Sequence, residues 1–232
     1  MTSTSDPTET PVDKAKPLIA ILDYGIGNLH SALTGFQAVG ADARLTSDPA
    51  LIAQAAGVVL PGVGAFAPCM AALRSTGLDQ VCHETVDAGI PFFGICIGMQ
   101  LLQKSSEEAP GVAGLGILDG EVRRLPTGVK HPQMQWNRLL VSIETPMTTG
   151  LGEDPWMYFV HSFAAVGDVD CVATCDYGGP VAAASVRDNL WAAQFHPEKS
   201  GPTGLAVLRN FVGVAAAAGT DNDVDRRAGA PS

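Results

Sequence analysis

The stretch "PFFGICIGMQLL", residues 91–102, begins as an apolar strand and ends as a helix, with Cys96 at the bend. A short apolar run broken by glycine reads as a buried strand, and the residues beyond it continue at helical spacing. Gly94-Ile95-Cys96-Ile97-Gly98 has the form of a nucleophile elbow, in which small residues on either side let the chain turn sharply and push the central side chain into the open. The helix that follows aims its first N–H groups and the positive end of its dipole at the sulfur, which favours the thiolate. A free cysteine is also one of the most buried residue types and packs as a small hydrophobe. Taken alone, the elbow leaves these two readings level.

Upstream of this bend the same alternation repeats. "PLIAILDYG" is an apolar strand closed by Gly25. "NLHSALTGFQAVG" follows as a helix with Leu29, Leu33, Phe36 and Val39 on one face and Gly40 as its stop. "ARLTS" and "GVVLPG" are two further strands, and helical stretches ending near Arg74 and Ala88 lead to the strand at residue 91. Strands alternating with helices predict a parallel sheet covered on both faces. After about residue 116 the texture changes to successive strands and hairpins: "GEVRRLP", "RLLVSI", "WMYFVHSF", "CVATCDY", "VAAASVR" and "NLWAAQF". A last helix over about 203–217 presents Leu205, Leu208, Phe211 and Val212 to the interior. The expectation is one α/β domain over residues 17–218 with a β-rich second half. Residues 1–16 and 219–232, rich in small and polar residues and without apolar periodicity, read as disordered tails.

The 232 residues carry a formal net charge of −10, which argues against nucleic acid or an anionic membrane as a general partner. No apolar stretch reaches transmembrane length, and the N-terminal residues lack the apolar core of a signal peptide. Five scattered cysteines do not make a disulfide framework, so a reducing cytoplasm fits best. Cys171-x3-Cys175 has no paired second motif and no zinc is expected there.

A thiolate nucleophile needs a proton shuttle, and imidazole is the usual one. His30 and His83 lie in helices and read as surface residues, while His131 and His161 are harder to dismiss. His196 stands out: "WAAQFHPEKS" places it just past an apolar strand, with Glu198 two residues on and Pro197 holding the backbone out of helix. The glutamate can then fix the imidazole tautomer, the orienting role in a triad. H-x-E by itself also occurs in ordinary solvated loops; elbow and H-P-E together, each at a strand end, carry more weight than either. Backbone donors for an oxyanion are offered by Pro61-Gly62-Val63-Gly64 at the end of the third strand, through Gly62, Val63 and Gly64, and by the N–H of Ile97. An ordinary glycine-rich βα turn would look the same in isolation.

"GICIGMQLL" with "FHPEKSG" resembles the class I, triad-type glutamine amidotransferases. "ILDYGIGNLHS", "VVLPGVGAF", "SEEAPGVAGLGILDGEV", "MYFVHSF" and "QFHPEKSG" narrow the likeness to the glutaminase subunits of imidazole glycerol phosphate synthase, over about residues 18–213. The resemblance implies a three-layer, flavodoxin-like α/β amidotransferase domain. It implies that Cys96 attacks the side-chain amide of glutamine, that His196 shuttles the proton and that Glu198 orients His196. By the same likeness Gln100 and Glu108 hold the α-amino end of glutamine, and the backbone around Ser162 and Phe163 receives its α-carboxylate. Asn28, Trp136, Tyr158 and Lys199 match positions near a partner interface. The implied partner is a cyclase subunit, a (β/α)8 barrel that consumes the ammonia, and no cofactor is needed. Two departures stand out: Gln135 in "HPQMQWN" replaces a commoner glycine, and Phe163 a commoner tyrosine. Competing readings are an amidotransferase of another pathway, a cysteine peptidase on the same elbow, and a silent regulatory module; the last requires a lost triad member, and Cys96, His196 and Glu198 are all present.

Overall fold

The computed structural model describes residues 16–27 and 29–228, with side chains placed up to Gly219. The expected N-terminal tail, apart from Lys16, lies outside the described residues, as does Asn28. The chain runs β1 (Leu18–Leu22), α1 (Leu29–Ala38), β2 (Asp42–Thr46), α2 (Pro49–Ile52), β3 (Gly57–Leu60), α3 (Phe66–Ser75), α4 (Leu78–Asp87), β4 (Phe92–Ile95) and α5 (Ile97–Leu101). It continues through β5 (Glu121–Arg124), β6 (Gln133–Arg138), β7 (Leu140–Val141), β8 (Trp156–His161), β9 (Phe163–Val166), β10 (Cys171–Asp176), β11 (Pro180–Arg187) and β12 (Leu190–Ala193). A 3-10 turn at Pro197–Lys199 then leads into α6 (Gly201–Ala228).

An eight-stranded sheet in the order β2-β1-β3-β4-β12-β11-β10-β7 forms the centre. The pairs from β2 to β12 are parallel, and those from β12 to β7 antiparallel. Side chains of a strand alternate between faces, and the burial follows that parity. Ile19, Ile21, Val59, Phe93 and Ile95 join one core cluster with Phe36 of α1 and Leu208 and Phe211 of α6. Ala20, Leu22, Val58, Leu60 and Phe92 face the other, with Met70 and Leu73 of α3, Leu78 of α4 and Met99 of α5. Continuous apolar runs such as "GVVL" and "FFGI" are therefore buried on both sides, as a covered parallel sheet requires. The three-layer α/β architecture and the β-rich second half are as expected. Two small antiparallel ladders, β5 with β9 and β6 with β8, sit outside the main sheet.

Several elements differ from the sequence expectation. "RLLVSI" gives Arg138 to the end of β6 and otherwise only the two residues of β7, at the sheet edge with Leu140 and Val141 exposed. The strand lies just upstream instead, in β6, whose alternation is hidden: Gln133 is fully buried while Met134 and Trp136 are exposed. "MYFVHSF" splits between β8 and β9, which pair with different partners. The helix after Cys96 is only five residues long. The final helix runs on to Ala228, into the segment expected as a tail; after Gly219 no proline or glycine occurs until Gly229. Among the described residues, no helix is long and apolar enough to cross a membrane.

Phe211 is the hinge of the α1/α6 side of the core. Its ring is fully buried and lies 5.4 Å from Phe93, 5.5 Å from Trp191 and 6.0 Å from Phe36, centroid to centroid. Phe211→Ala should lower unfolding stability by about 3–5 kcal/mol, the range for truncating a buried aromatic, measured by urea denaturation monitored through tryptophan fluorescence.

Candidate active site

The carboxyl ends of β3, β4 and β12 lie side by side, and open α/β sheets bind their ligands at this edge. Cys96 is the first residue past β4 and the cap of α5, with φ 55° and ψ −107°. A non-glycine residue held there costs about 1–3 kcal/mol and needs support from its surroundings. The two glycines supply the room. A Cβ at Gly98 would stand 1.9 Å from the Leu60 carbonyl oxygen, and one at Gly94 would meet Leu102 at 2.6 Å and the Gly98 backbone at 3.0 Å. β3, β4 and α5 can pack this closely only without those side chains. The Cys96 N–H donates to the Ala193 carbonyl at 2.7 Å, fixing the bend to the end of β12.

Beyond β12 the chain delivers His196. Its Nδ1 bonds Glu198 Oε1 at 2.8 Å, and both side chains are almost wholly buried. The 3-10 turn that carries them is clamped from several sides. His196 N–H donates to the Tyr158 carbonyl at 3.0 Å. Ser200 Oγ donates to the His196 carbonyl at 2.6 Å and accepts from Tyr158 N–H at 2.9 Å. Gly35 of α1 leaves space for Glu198, since a Cβ there would come within 3.1 Å of the Glu198 Cβ, and Gly204 lets α6 approach the Pro197 carbonyl. Burial alone would depress the His196 pKa; the interaction with the Cys96 sulfur and then the bond to Glu198 outweigh it and raise the value to about 10. His196 Nε2 has no hydrogen-bond partner within bonding geometry, yet the sulfur is near enough for this electrostatic coupling. The arrangement favours a proton on the imidazole beside the Cys96 sulfur.

A cavity of about 400 Å³ opens over Cys96, lined by Val63, Gly64, Ile97, Gln100, Glu108, His161, Ser162 and Phe163 among others. One Glu108 oxygen accepts from the Phe66 N–H at 2.9 Å. Gln100 Nε2 donates to the Phe163 carbonyl at 2.9 Å. Gly62 stands just behind the wall, where a Cβ would meet the Tyr24 hydroxyl at 2.2 Å and Ile97 at 2.3 Å. Tyr24 in turn donates to the Pro61 carbonyl at 2.8 Å. The first residue of a helix has no intrahelical acceptor for its N–H, so Ile97 N–H is available at the cavity wall.

Of the expected site residues, Cys96, Val63, Gly64, Ile97, Gln100, Glu108, Ser162 and Phe163 line this cavity, Gly62 lies behind its wall, and His196 and Glu198 are not part of the lining and meet the site through the Cys96 sulfur. Trp136, about half exposed, meets Tyr158 edge to face at 6.2 Å across the β6–β8 ladder, and Lys199 is exposed next to the Glu198 turn. Gln135 is exposed, in register with Phe159 in a regular ladder. His30 and His83 are exposed as expected. Sequence reasoning missed Gln194, Tyr24, Ser200 and Gly35. The one available signal was Gln194, a carboxamide inside the apolar run "LWAAQF".

A sequence model of the family described as "Glutamine amidotransferase class-I" matches residues 20–214. The chain belongs to the class I glutamine amidotransferase family. The imidazole glycerol phosphate synthase subunit HisH of Synechococcus elongatus is 50% identical over 208 residues, covering 87% of this chain and 95% of that one. The HisH subunit of Methanothermobacter thermautotrophicus is 49% identical over 196 residues, covering 84% and 98%. A solved glutamine amidotransferase superposes with a TM-score of 0.69 at 19% identity, covering 85% of this chain and 98% of that one. A chain of the solved PurLQS from Thermotoga maritima gives 0.68 at 20% identity, covering 85% and 98%. At that identity the two structures speak for the fold of this amidotransferase.

Two outcomes follow from the site's electrostatics. Burial raises the pKa of Cys69, Cys82, Cys171 and Cys175, the last to about 11. An electrophilic glutamine analogue should therefore modify Cys96 and spare the other four, as read by peptide mass mapping; label spread evenly over the five would contradict the assignment. His161 donates Nδ1–H to the Phe163 carbonyl at 2.8 Å, and burial, with His196 nearby, lowers its pKa to about 4. The unfolded chain takes up this proton at about 6.5 and the folded chain does not. Stability should then fall as pH drops from about 6.5 towards 4, by an amount on the order of a few kcal/mol. Urea midpoints at pH 7 and pH 4.5 should differ less in His161→Asn than in the wild type.

Proposed function

We infer that this amidotransferase is the glutaminase subunit of an imidazole glycerol phosphate synthase, acting in histidine biosynthesis. The observation that carries the mechanism is the buried His196–Glu198 pair coupled to a thiol at a positive-φ strand–helix corner, over a cavity that also presents Gln100 and Glu108. Glu108 faces the α-ammonium of glutamine together with Gln100, and the backbone of Ser162 and Phe163 receives the α-carboxylate. The Cys96 sulfur attacks the side-chain carbonyl carbon, and the oxygen takes up the electron pair. The N–H groups of Val63 and Ile97, with Gly62 and Gly64 allowing the close approach, stabilise that oxyanion. As the C–N bond breaks, His196 gives its proton to the nitrogen, and ammonia leaves behind a thioester. His196 then takes a proton from water, whose attack releases glutamate and restores the sulfur. Glu198 holds the imidazole in the tautomer both steps need.

The ammonia is consumed by a cyclase subunit, a (β/α)8 barrel, which converts N′-[(5′-phosphoribulosyl)formimino]-AICAR ribonucleotide to imidazole glycerol phosphate and AICAR ribonucleotide. Trp136, Tyr158 and Lys199 form the docking face we assign to it; Asn28, assigned by the family likeness, lies outside the described residues. Tyr158 and Lys199 are backbone neighbours of the His196 turn, so docking there bears directly on the triad. The free thiols suit the reducing cytoplasm in which this pathway would run.

A free glutaminase would waste ammonia, so the isolated chain should be nearly silent. One oxyanion donor out of place costs about 10²–10³ in rate, enough to account for silence with the triad intact. Glutamate release, followed with and without the cyclase and its ribonucleotide, should rise by at least that order when both are present. Cys96→Ser should abolish glutamine-dependent turnover of the complex and leave ammonia-dependent ring closure running. Loss of both activities would move Cys96 into a structural role; full glutaminase activity in the isolated chain would remove the case for partner control.

A further inference from the structure

A carboxamide is out of place in the middle of "LWAAQF", yet Gln194 is fully buried, just past the end of β12. Its backbone is fixed by a hydrogen bond from Gln194 N–H to the Ala183 carbonyl at 2.9 Å. Its side chain makes two contacts. Gln194 Oε1 accepts from Gln100 Nε2 at 2.9 Å, and Gln194 Nε2 lies 3.7 Å from the Cys96 sulfur as a donor.

The direction of this chain of bonds is dictated from one end. The Phe163 carbonyl can only accept, so Gln100 must present its NH2 group there, at 2.9 Å. The same NH2 group supplies its second hydrogen to Gln194, which must therefore turn its oxygen towards Gln100. That leaves the NH2 group of Gln194 facing the sulfur. Turning Gln100 over would set its oxygen against the Phe163 carbonyl, and turning Gln194 over would set its NH2 group against that of Gln100.

We propose that Gln194 is a positioning residue for the Cys96 sulfur, its N–H held towards it by a relay that begins at the Phe163 carbonyl. The proposal rests on the reading of Cys96 as the nucleophile. A neutral donor at this place stabilises the anionic sulfur without competing for the proton on His196. It also ties the sulfur to Gln100 and Phe163, two residues assigned above to glutamine binding, so that the wall that holds the substrate and the atom that attacks it share one hydrogen-bond chain. The titratable groups around the sulfur are His196 with Glu198 behind it, Tyr24 and Cys69 on the β1 and α3 side, and Glu108 and His161 across the cavity. None of them is altered by changing Gln194.

The test uses two substitutions in the full chain. Gln194→Leu removes the donor at similar volume. Gln194→Glu keeps an acceptor for Gln100 but sets an oxygen against the sulfur. Alkylation of Cys96 by iodoacetamide, followed by peptide mass mapping across pH, needs neither glutamine nor a partner. The pH midpoint should rise by about one unit in the leucine variant, equivalent to a tenfold loss of the anion, and further in the glutamate variant. In the complex with the cyclase and its ribonucleotide, kcat for glutamate release should fall by about tenfold or more, with KM little changed. A role confined to packing would reduce the yield of folded protein and leave the midpoint where it is. Wild-type alkylation profiles in whichever of the two variants folds would overturn the assignment. Absence of glutamate release from the wild-type complex would instead strike at the function proposed above, a result that the alkylation profiles distinguish from failure of the relay.

Discussion

The site depends on how closely α5 can be brought over β3. Gly98 lies against the Leu60 carbonyl at a distance no side chain could occupy, and Gly94 makes the matching space beneath α5. That contact closes the corner and holds Cys96 in its strained, positive-φ conformation. It also brings the N-terminus of α5, with the free Ile97 N–H, against the loop after β3 that carries Gly62, Val63 and Gly64. The bend at Cys96 and the approach of α5 to that loop are thus consequences of one packing constraint. The strain it imposes is borne by the parallel sheet, whose β4 and β12 hold the bend from both sides through backbone bonds.

The proton chemistry has a different foundation. His196 sits among buried groups, where a lone imidazole would lose its charge, as His161 does a short distance away. Two histidines in comparable burial diverge because their neighbours differ. His196 faces a carboxylate and a sulfur; His161 has a backbone carbonyl at Nδ1 and no partner at Nε2. One is kept as a proton store at neutral pH and the other as a neutral wall. Environment alone thus separates the protonation of two imidazoles in a small space.

The second half of the chain is where function and fold meet. Its antiparallel extension completes the sheet, and the β6–β8 ladder lies on the His196 turn through Tyr158. The exposed aromatic residues of that ladder are therefore close to the His196–Glu198 turn although none of them lines the cavity. Trp136, about half exposed, packs edge to face on Tyr158 there.

The sequence alone determined the alternating α/β order, the elbow at Cys96, the H-P-E turn and the family, because each is a local pattern: apolar runs of strand length, glycines at fixed offsets and a proline between two functional side chains. It did not show β6, since Gln133 is buried and Trp136 exposed there, the reverse of what their polarity leads one to expect. Nor did it show that "MYFVHSF" serves two ladders. Only the tertiary structure decided which distant groups meet: Gln194 with Gln100 and the sulfur, Ser200 with Tyr158, Gly35 with Glu198. The physical reason is that a buried polar group is specified by its partner across the core. That partner lies 94 residues away for Gln194 and Gln100, a separation at which local pattern carries no information and packing carries all of it.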